Sequence, residues 1–295
     1  MFDLRYHVAS LAAVFLALII GILVGVGISG KGFVSDSERK LLNEKIARLQ
    51  GQLESATRRS DGLARTQRAA QTFVKDAYPA LMDGRMSGLR VALVFVGPED
   101  GRTRSLVEQA LTDAGGAAPL RTRALKLPIE PATLRRALSG RPALASLATK
   151  QRIGDLGQRL GQDLVTGGDS ALWRLLSADL LEERSGNDVP PADGVVIARN
   201  IAPQAGVTAR FLAGFYGGIG STGVPAVGVE RSQRGLSAMT AFAKQQLSTV
   251  DDLDTEAGRL ALVLLLGGGP PGQYGVRKTA EDGVLPEIPL AATHG

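Results

Sequence analysis

The stretch Arg90-Val91-Ala92-Leu93-Val94-Phe95-Val96-Gly97-Pro98-Glu99-Asp100-Gly101 decides the fold. Its short, continuous apolar run from Arg90 to Val96 is the pattern of a strand buried on both faces. The Gly-Pro step ends that run, and a helical pattern follows from Thr103 to Ala114, closed by Gly115-Gly116. Strand, loop and helix in this order suggest one repeat of an α/β unit.

Toward the C-terminus the alternation continues. Further strands are expected at Leu120 to Leu125, Gly194 to Ala198, Val224 to Val229 and Leu260 to Leu266. Helical stretches separate several of them, at Pro131 to Ser139, Thr149 to Leu164, Ser170 to Glu183, Val207 to Phe215 and Leu236 to Leu247. Such alternation implies crossover connections and a mainly parallel, three-layer α/β domain over residues 88–280. Residues 281–295 are read as a flexible tail. Ligands in these folds sit at the carboxyl ends of strands, so the loop after Val96 is the first place to look. Its GPEDG is not a phosphate-binding pattern.

Toward the N-terminus, residues 31–80 read as a coiled-coil stalk. Leu42, Leu49, Ala56, Leu63 and Ala70 recur at one heptad position, and Ile46, Leu53 and Val74 at the other. Ser60 and Gln67 interrupt the second seam, so an ordinary amphipathic helix packed on its own domain is the competing reading. Leu42, Ile46, Leu49, Leu53 and Leu63 are the strongest seam candidates. Ser35-Asp36-Ser37-Glu38 resembles a capping box at the start, and Pro79 is expected to end the helix near Ala77.

Before the stalk, Val8 to Ile28 holds no charged side chain. An apolar run of about 20 residues matches a hydrocarbon core of about 30 Å, which makes residues 1–30 a transmembrane anchor in contact with membrane lipid. A cleaved signal peptide is the alternative, but its apolar region is usually about 7–15 residues and follows several basic ones. Here only Arg5 precedes the run. Ala9, Ala13, Ala17, Gly21 and Gly25 form a small-residue ridge of the kind that lets membrane helices approach closely. With the stalk, the ridge points to a parallel homodimer. Lys31, Arg39, Lys40, Lys45 and Arg48 follow the span, so the charge rule taken alone places the C-terminal bulk in the cytoplasm. Long domains translocate despite such charges, and sidedness stays open at this point.

Composition narrows the function classes. Hydrophobic content of 44% in 295 residues supports a sizeable core. The net charge of +5 comes from Lys and Arg interspersed with Asp and Glu, without the basic blocks that nucleic-acid binding requires. Cysteine is absent, which removes disulfides, thiolate metal sites and thiol nucleophiles. The two histidines, His7 and His294, stand near the chain ends. With no P-loop or GxGxxG after an expected strand, no cofactor and no enzymatic activity are expected. Asp251, Asp252 and Asp254 are the best candidates for a charged site. Carboxylates this close can hold a hard cation or shift one another's pKa. A solvated turn or helix cap leading into the Leu260 strand is favoured, because the full calcium-loop spacing is missing. For copper(I), the thioethers are Met1, Met82, Met86 and Met239; Met82 and Met86 are one turn apart if helical, and a pair of gap-filling methionines is the preferred reading.

Two segments carry a family resemblance. LRYHVASLAAVFLALIIGILVGVG, from Leu4 to Gly27, and LSTVDDLDTEAGRLALVL, from Leu247 to Leu264, together resemble the MctB family of copper transport outer-membrane proteins. Gly272-Gln273-Tyr274-Gly275 is similar to the C-terminal pattern of that family. The resemblance implies a bacterial cell-envelope protein with an extracytoplasmic domain and a role in copper homeostasis or envelope permeability. It brings no catalytic residues. The alternative from the residues alone is a dimeric scaffold linking the membrane to an envelope partner in the cell-wall or division machinery.

Overall fold

The apolar N-terminal segment is one continuous helix, α1 (Leu4–Ser29). In the computed structural model, which describes residues 4–29, 36–168, 170–232, 235 and 237–288, every side chain from Val8 to Val26 is exposed. That stretch is long and apolar enough to cross a membrane. A helix apolar all round and covered by nothing calls for lipid as its solvent. Next comes α2 (Asp36–Met82), a long polar helix with Pro79 inside it. The chain divides into two compact units, Met1–Ala69 and Ala70–Gly295.

The expected stop before Pro79 does not occur, because tertiary packing in the second unit holds the last turn helical. Tyr78 and Met82 are buried among Leu93, Leu111 and Leu260. The Tyr78 hydroxyl donates to Asp113 at 3.0 Å and accepts from Arg259 Nε at 3.3 Å. Burial pushes that hydroxyl up to about 12, against the pull of Arg259.

The sheet starts with β1 (Val91–Val96), buried at every position. It is followed by α3 (Gly101–Asp113), β2 (Arg121–Leu125), α4 (Pro131–Ala137), α5 (Pro142–Ala145), α6 (Ile153–Thr166) and α7 (Ala171–Leu180). Then come β3 (Leu181–Gly186), β4 (Gly194–Arg199), α8 (Gly206–Gly220), β5 (Ala226–Val229) and α9 (Met239–Ala243). The unit closes with β6 (Ser248–Val250), α10 (Glu256–Leu266) and β7 (Gln273–Tyr274). Seven strands form one sheet in the order β3-β2-β1-β4-β5-β6-β7. All pairs are parallel except β2 with β3. Successive β1 side chains point to opposite faces. Ala92, Val94 and Val96 pack with α6, α7 and α8, while Val91, Leu93 and Phe95 pack with α3 and α10. Helices thus cover both faces, as a mainly parallel sheet requires.

Residues Leu260 to Leu266, expected as a strand, are helical. Thr255 caps α10 by accepting from Gly258 N–H at 2.9 Å, and every residue from Gly258 to Leu266 is buried. A helix buried all round has lost its polar face, and its apolar run then looks like a central strand. The helix expected over Ser170 to Glu183 stops at Leu180, and the chain turns into the antiparallel edge strand β3. Of the helix expected over Leu236 to Leu247, only Met239–Ala243 (α9) is helical among the described residues; Leu236 lies outside them.

On one face α6 and α8 cross at backbone contact. A methyl group at Gly157 would overlap the Phe211 carbonyl oxygen, and one at Gly161 would overlap that of Phe215. Gly214 and Gly218 meet Gly154 and Gln158 in the same way from the other helix. Small residues four apart on each helix make this close approach possible.

Candidate functional site

Strand order reverses between β1 and β4. From β1 the chain moves outward to β2, and from β4 it moves the other way to β5. This is the switch point at which open α/β sheets form a crevice beyond their strand carboxyl ends. A cavity of about 440 Å³ lies there, lined by Pro98, Glu99, Asp100, Arg199, Glu230 and Arg277 among others. The loop after Val96 therefore does form one wall of it.

Ion pairs fasten the surrounding loops to one another. Asp100 caps α3 by accepting from Thr103 N–H at 3.3 Å, and it lies 3.5 Å from Arg231. Burial works against the Asp100 charge, but the Thr103 hydrogen bonds and Arg231 bring its carboxyl below the usual range. Glu99 receives Arg104 at 2.9 Å. Glu230 receives Arg277 at 3.2 Å and the Ala238 amide. Arg277 also donates to the Arg231 carbonyl at 3.0 Å. Among the described residues, these bonds pair Glu99, Asp100 and Glu230 with arginines around the rim.

The acidic trio follows β6 directly, yet its carboxylates face different partners. Asp251 is 1% exposed and accepts from the backbone N–H groups of Val276, at 2.8 Å, and Arg277, at 3.2 Å, which tie down the loop after β7. Asp254 accepts from Ser232 N–H at 2.6 Å and its hydroxyl at 2.7 Å. Burial opposes the Asp254 charge, but the Ser232 bonds and Arg231 lower its carboxyl overall. Asp252 is 1% exposed; one oxygen accepts from the Thr255 hydroxyl at 2.9 Å and the other has no partner. Burial pushes its carboxyl up to about 6. These residues brace the turn into α10. Among the described residues, no group of three His, Cys, Asp or Glu side chains is placed to hold a metal ion. Met82 and Met86 sit fully buried in the apolar core.

The residues expected to mediate self-association are exposed. Ala9, Ala13, Ala17, Gly21 and Gly25 all lie on α1 with exposed surfaces. Leu42, Ile46, Leu49, Leu53 and Leu63 are exposed along α2. Sequence reasoning missed Arg199, Glu230, Arg231 and Arg277. A signal existed for three of them: Arg199 immediately follows the apolar run Gly194 to Ala198, and Glu230-Arg231 follow Val224 to Val229. Charges placed straight after buried strands mark the carboxyl edge of a parallel sheet.

Among the described residues one helix is apolar and long enough to cross a membrane, which fits a single-pass anchor, and a mostly parallel sheet covered on both faces makes the rest an α/β protein. The chain belongs to the MctB family, described as "Copper transport outer membrane protein, MctB", which it matches over residues 1–285. It is similar to the protein named "Copper transporter MctB" from Mycobacterium tuberculosis strain H37Rv, at 27% identity covering 93% of this chain and 96% of that protein. The protein of the same name from Mycobacterium leprae is also 27% identical, covering 97% of this chain and all of the relative (100%).

Proposed function

We propose that the protein is a bitopic cell-envelope protein that supports copper efflux or tolerance, with its α/β unit outside the cytoplasm serving as a binding module. The observation that carries this reading is the family match over residues 1–285, which takes in both the apolar helix and the α/β unit. Relatives named copper transporters align over nearly their whole length. The role assigned is indirect. Copper(I) favours thiolate, thioether and imidazole ligands, whereas this chain lacks cysteine and its Met82 and Met86 are enclosed in the core. A transmembrane barrel closes its strands on themselves and turns apolar side chains to lipid. The described strands instead form an open sheet with edges at β3 and β7 and helices on both faces. The reading takes the protein as non-enzymatic. Deleting the gene should raise copper sensitivity in growth assays, and the full-length chain should restore tolerance. Unchanged copper sensitivity in the deletion strain would overturn the proposal.

A second reading, a dimeric scaffold joining the membrane to an envelope partner, is favoured by the exposed stripe Leu42, Ile46, Leu49, Leu53 and Leu63. The small-residue ridge on α1 supports the same dimer within membrane lipid. Nucleic acid has no place in either reading, since basic and acidic residues alternate along the chain.

A further inference from the structure

The switch-point crevice carries one cation that the loops around it leave largely uncommitted. Its three lining carboxylates are engaged. Both Glu99 oxygens accept from Arg104, at 2.9 and 3.2 Å; Glu230 accepts from Arg277 and the Ala238 amide; Asp100 accepts from Thr103. Arg231 differs. Among the described residues its guanidinium makes no hydrogen bond, and its one ion pair is the 3.5 Å approach of Nη2 to Asp100. The side chain is 23% exposed, and none of its nitrogens is sealed from solvent.

A guanidinium is a rigid fork of five N–H donors, and one fork can hold a carboxylate through two parallel bonds. Turning Nη2 toward Asp100 leaves the Arg231 Nε–H and Nη1 hydrogens without acceptors. A partly exposed ion pair at this distance contributes little, so Asp100 is a weak competitor for the fork. Beside Arg231, Pro98 and Ile201 supply apolar surface, and Asn200, exposed, supplies an amide. The crevice volume of about 440 Å³ falls in the range of small-molecule pockets.

The acidic neighbours set the charge of the ligand. Asp100 lies beside Arg231, and the Asp254 carboxylate also lies in its field. The N-terminus of α3, where a phosphate would ordinarily be cradled, is taken by Asp100 through the Thr103 N–H. A phosphate dianion would therefore bring two charges against Asp100 and Asp254, with no backbone cradle to offset them. A single carboxylate brings one charge and needs one edge of the fork.

We propose that the crevice binds a small polar monocarboxylate, its head held by the open edge of Arg231 and its body lying against Pro98, Ile201 and Asn200. The inference rests on the preceding reading only in taking the α/β unit as a binding module. Its test reads ligand binding and not copper tolerance, so either can fail without the other. The probe is 3-hydroxybutyrate, titrated onto the full-length protein in detergent micelles and followed by saturation-transfer NMR. Its amide, 3-hydroxybutyramide, and inorganic phosphate are run alongside. The carboxylate should bind saturably and the amide should not. Arg231→Gln removes a loosely paired, partly exposed charge, so thermal stability should hold while affinity falls at least about tenfold, as expected for losing hydrogen bonds to a charged group. Asp100→Asn keeps a side-chain oxygen for Thr103 but removes the competing charge, and should tighten binding about threefold. A merely structural role for the Arg231–Asp100 pair would not move affinity in opposite directions. The proposal is overturned if 3-hydroxybutyrate does not saturate the wild-type protein, or if phosphate binds and 3-hydroxybutyrate fails to compete with it. It is equally overturned if folded Arg231→Gln binds as well as the wild type. Should Arg231→Gln not fold, Asp100→Asn decides: tighter binding supports the proposal, and unchanged or weaker binding overturns it.

Discussion

Burial raises the Asp252 carboxyl from an ordinary 3.8 to about 6; the Thr255 hydroxyl opposes the shift, while the charges of Asp251 and Asp254 add to it. An acid with a raised folded-state pKa favours the fold while it is protonated. Its contribution is therefore full below about pH 4 and is lost as pH rises through about 6. The span amounts to at most about 3 kcal/mol. Asp252→Asn should accordingly make the protein more stable than wild type at pH 7.5, with the difference vanishing toward pH 4 in denaturant melts. A wild-type and variant difference that does not change between pH 4 and 7 would refute the assignment. Asp254 and Asp100, both lowered, act in the opposite sense and at lower pH, so they do not disturb this comparison. At the α6–α8 crossing the relevant group is a hydrogen atom. Gly161→Ala places a methyl against the Phe215 carbonyl oxygen, which belongs to a backbone that cannot swing aside. A loss of about 3 kcal/mol is expected in a denaturation series, the upper part of the overpacking range. Gly140, with open space around it, is the control, and Gly140→Ala should be near neutral.

Elements were legible where local pattern and tertiary demand agree. The run Val91 to Val96 is a strand because its apolar residues are buried on both faces, and the same reasoning holds for Gly194 to Ala198. It fails at Leu260 to Leu266, where the burial of α10 removes the helical period that would have identified it. β3 was hidden because Glu182, Glu183 and Arg184 are exposed, so this edge strand shows no apolar pattern. β6 and β7 span Ser248–Val250 and Gln273–Tyr274, too short to carry a pattern of their own. In the candidate site, the loop after Val96 was legible from topology. The pairing of Arg277 with Glu230 was not, since it joins residues brought together only by the order of strands. For α2, the exposed seam makes a direct prediction. With no native cysteine, Leu49→Cys should give a disulfide-linked dimer on mild oxidation in detergent. Adding Leu53→Glu should reduce that product by at least about tenfold, because a charge in a seam costs several kcal/mol. Equal crosslinking with and without the charge would mean that α2 does not pair through this stripe.

At the scale of the whole molecule, the two apolar parts of the chain differ in how they are covered. The Val8–Val26 stretch of α1 is exposed, apolar and long enough to cross a membrane, which fits a single-pass anchor, whereas the second unit buries its apolar side chains around the sheet. The charge rule and the family resemblance point to opposite sides of the membrane for that second unit, and an envelope function depends on which prevails. The decisive measurement is accessibility of a single cysteine in intact cells. Val189→Cys is well suited, because Val189 is 68% exposed and the natural chain has no cysteine to give background labelling. A membrane-impermeant maleimide should label Val189→Cys without lysis, which places the α/β unit outside the cytoplasm. Labelling that appears only after lysis would put the unit inside the cell and contradict the proposed envelope role.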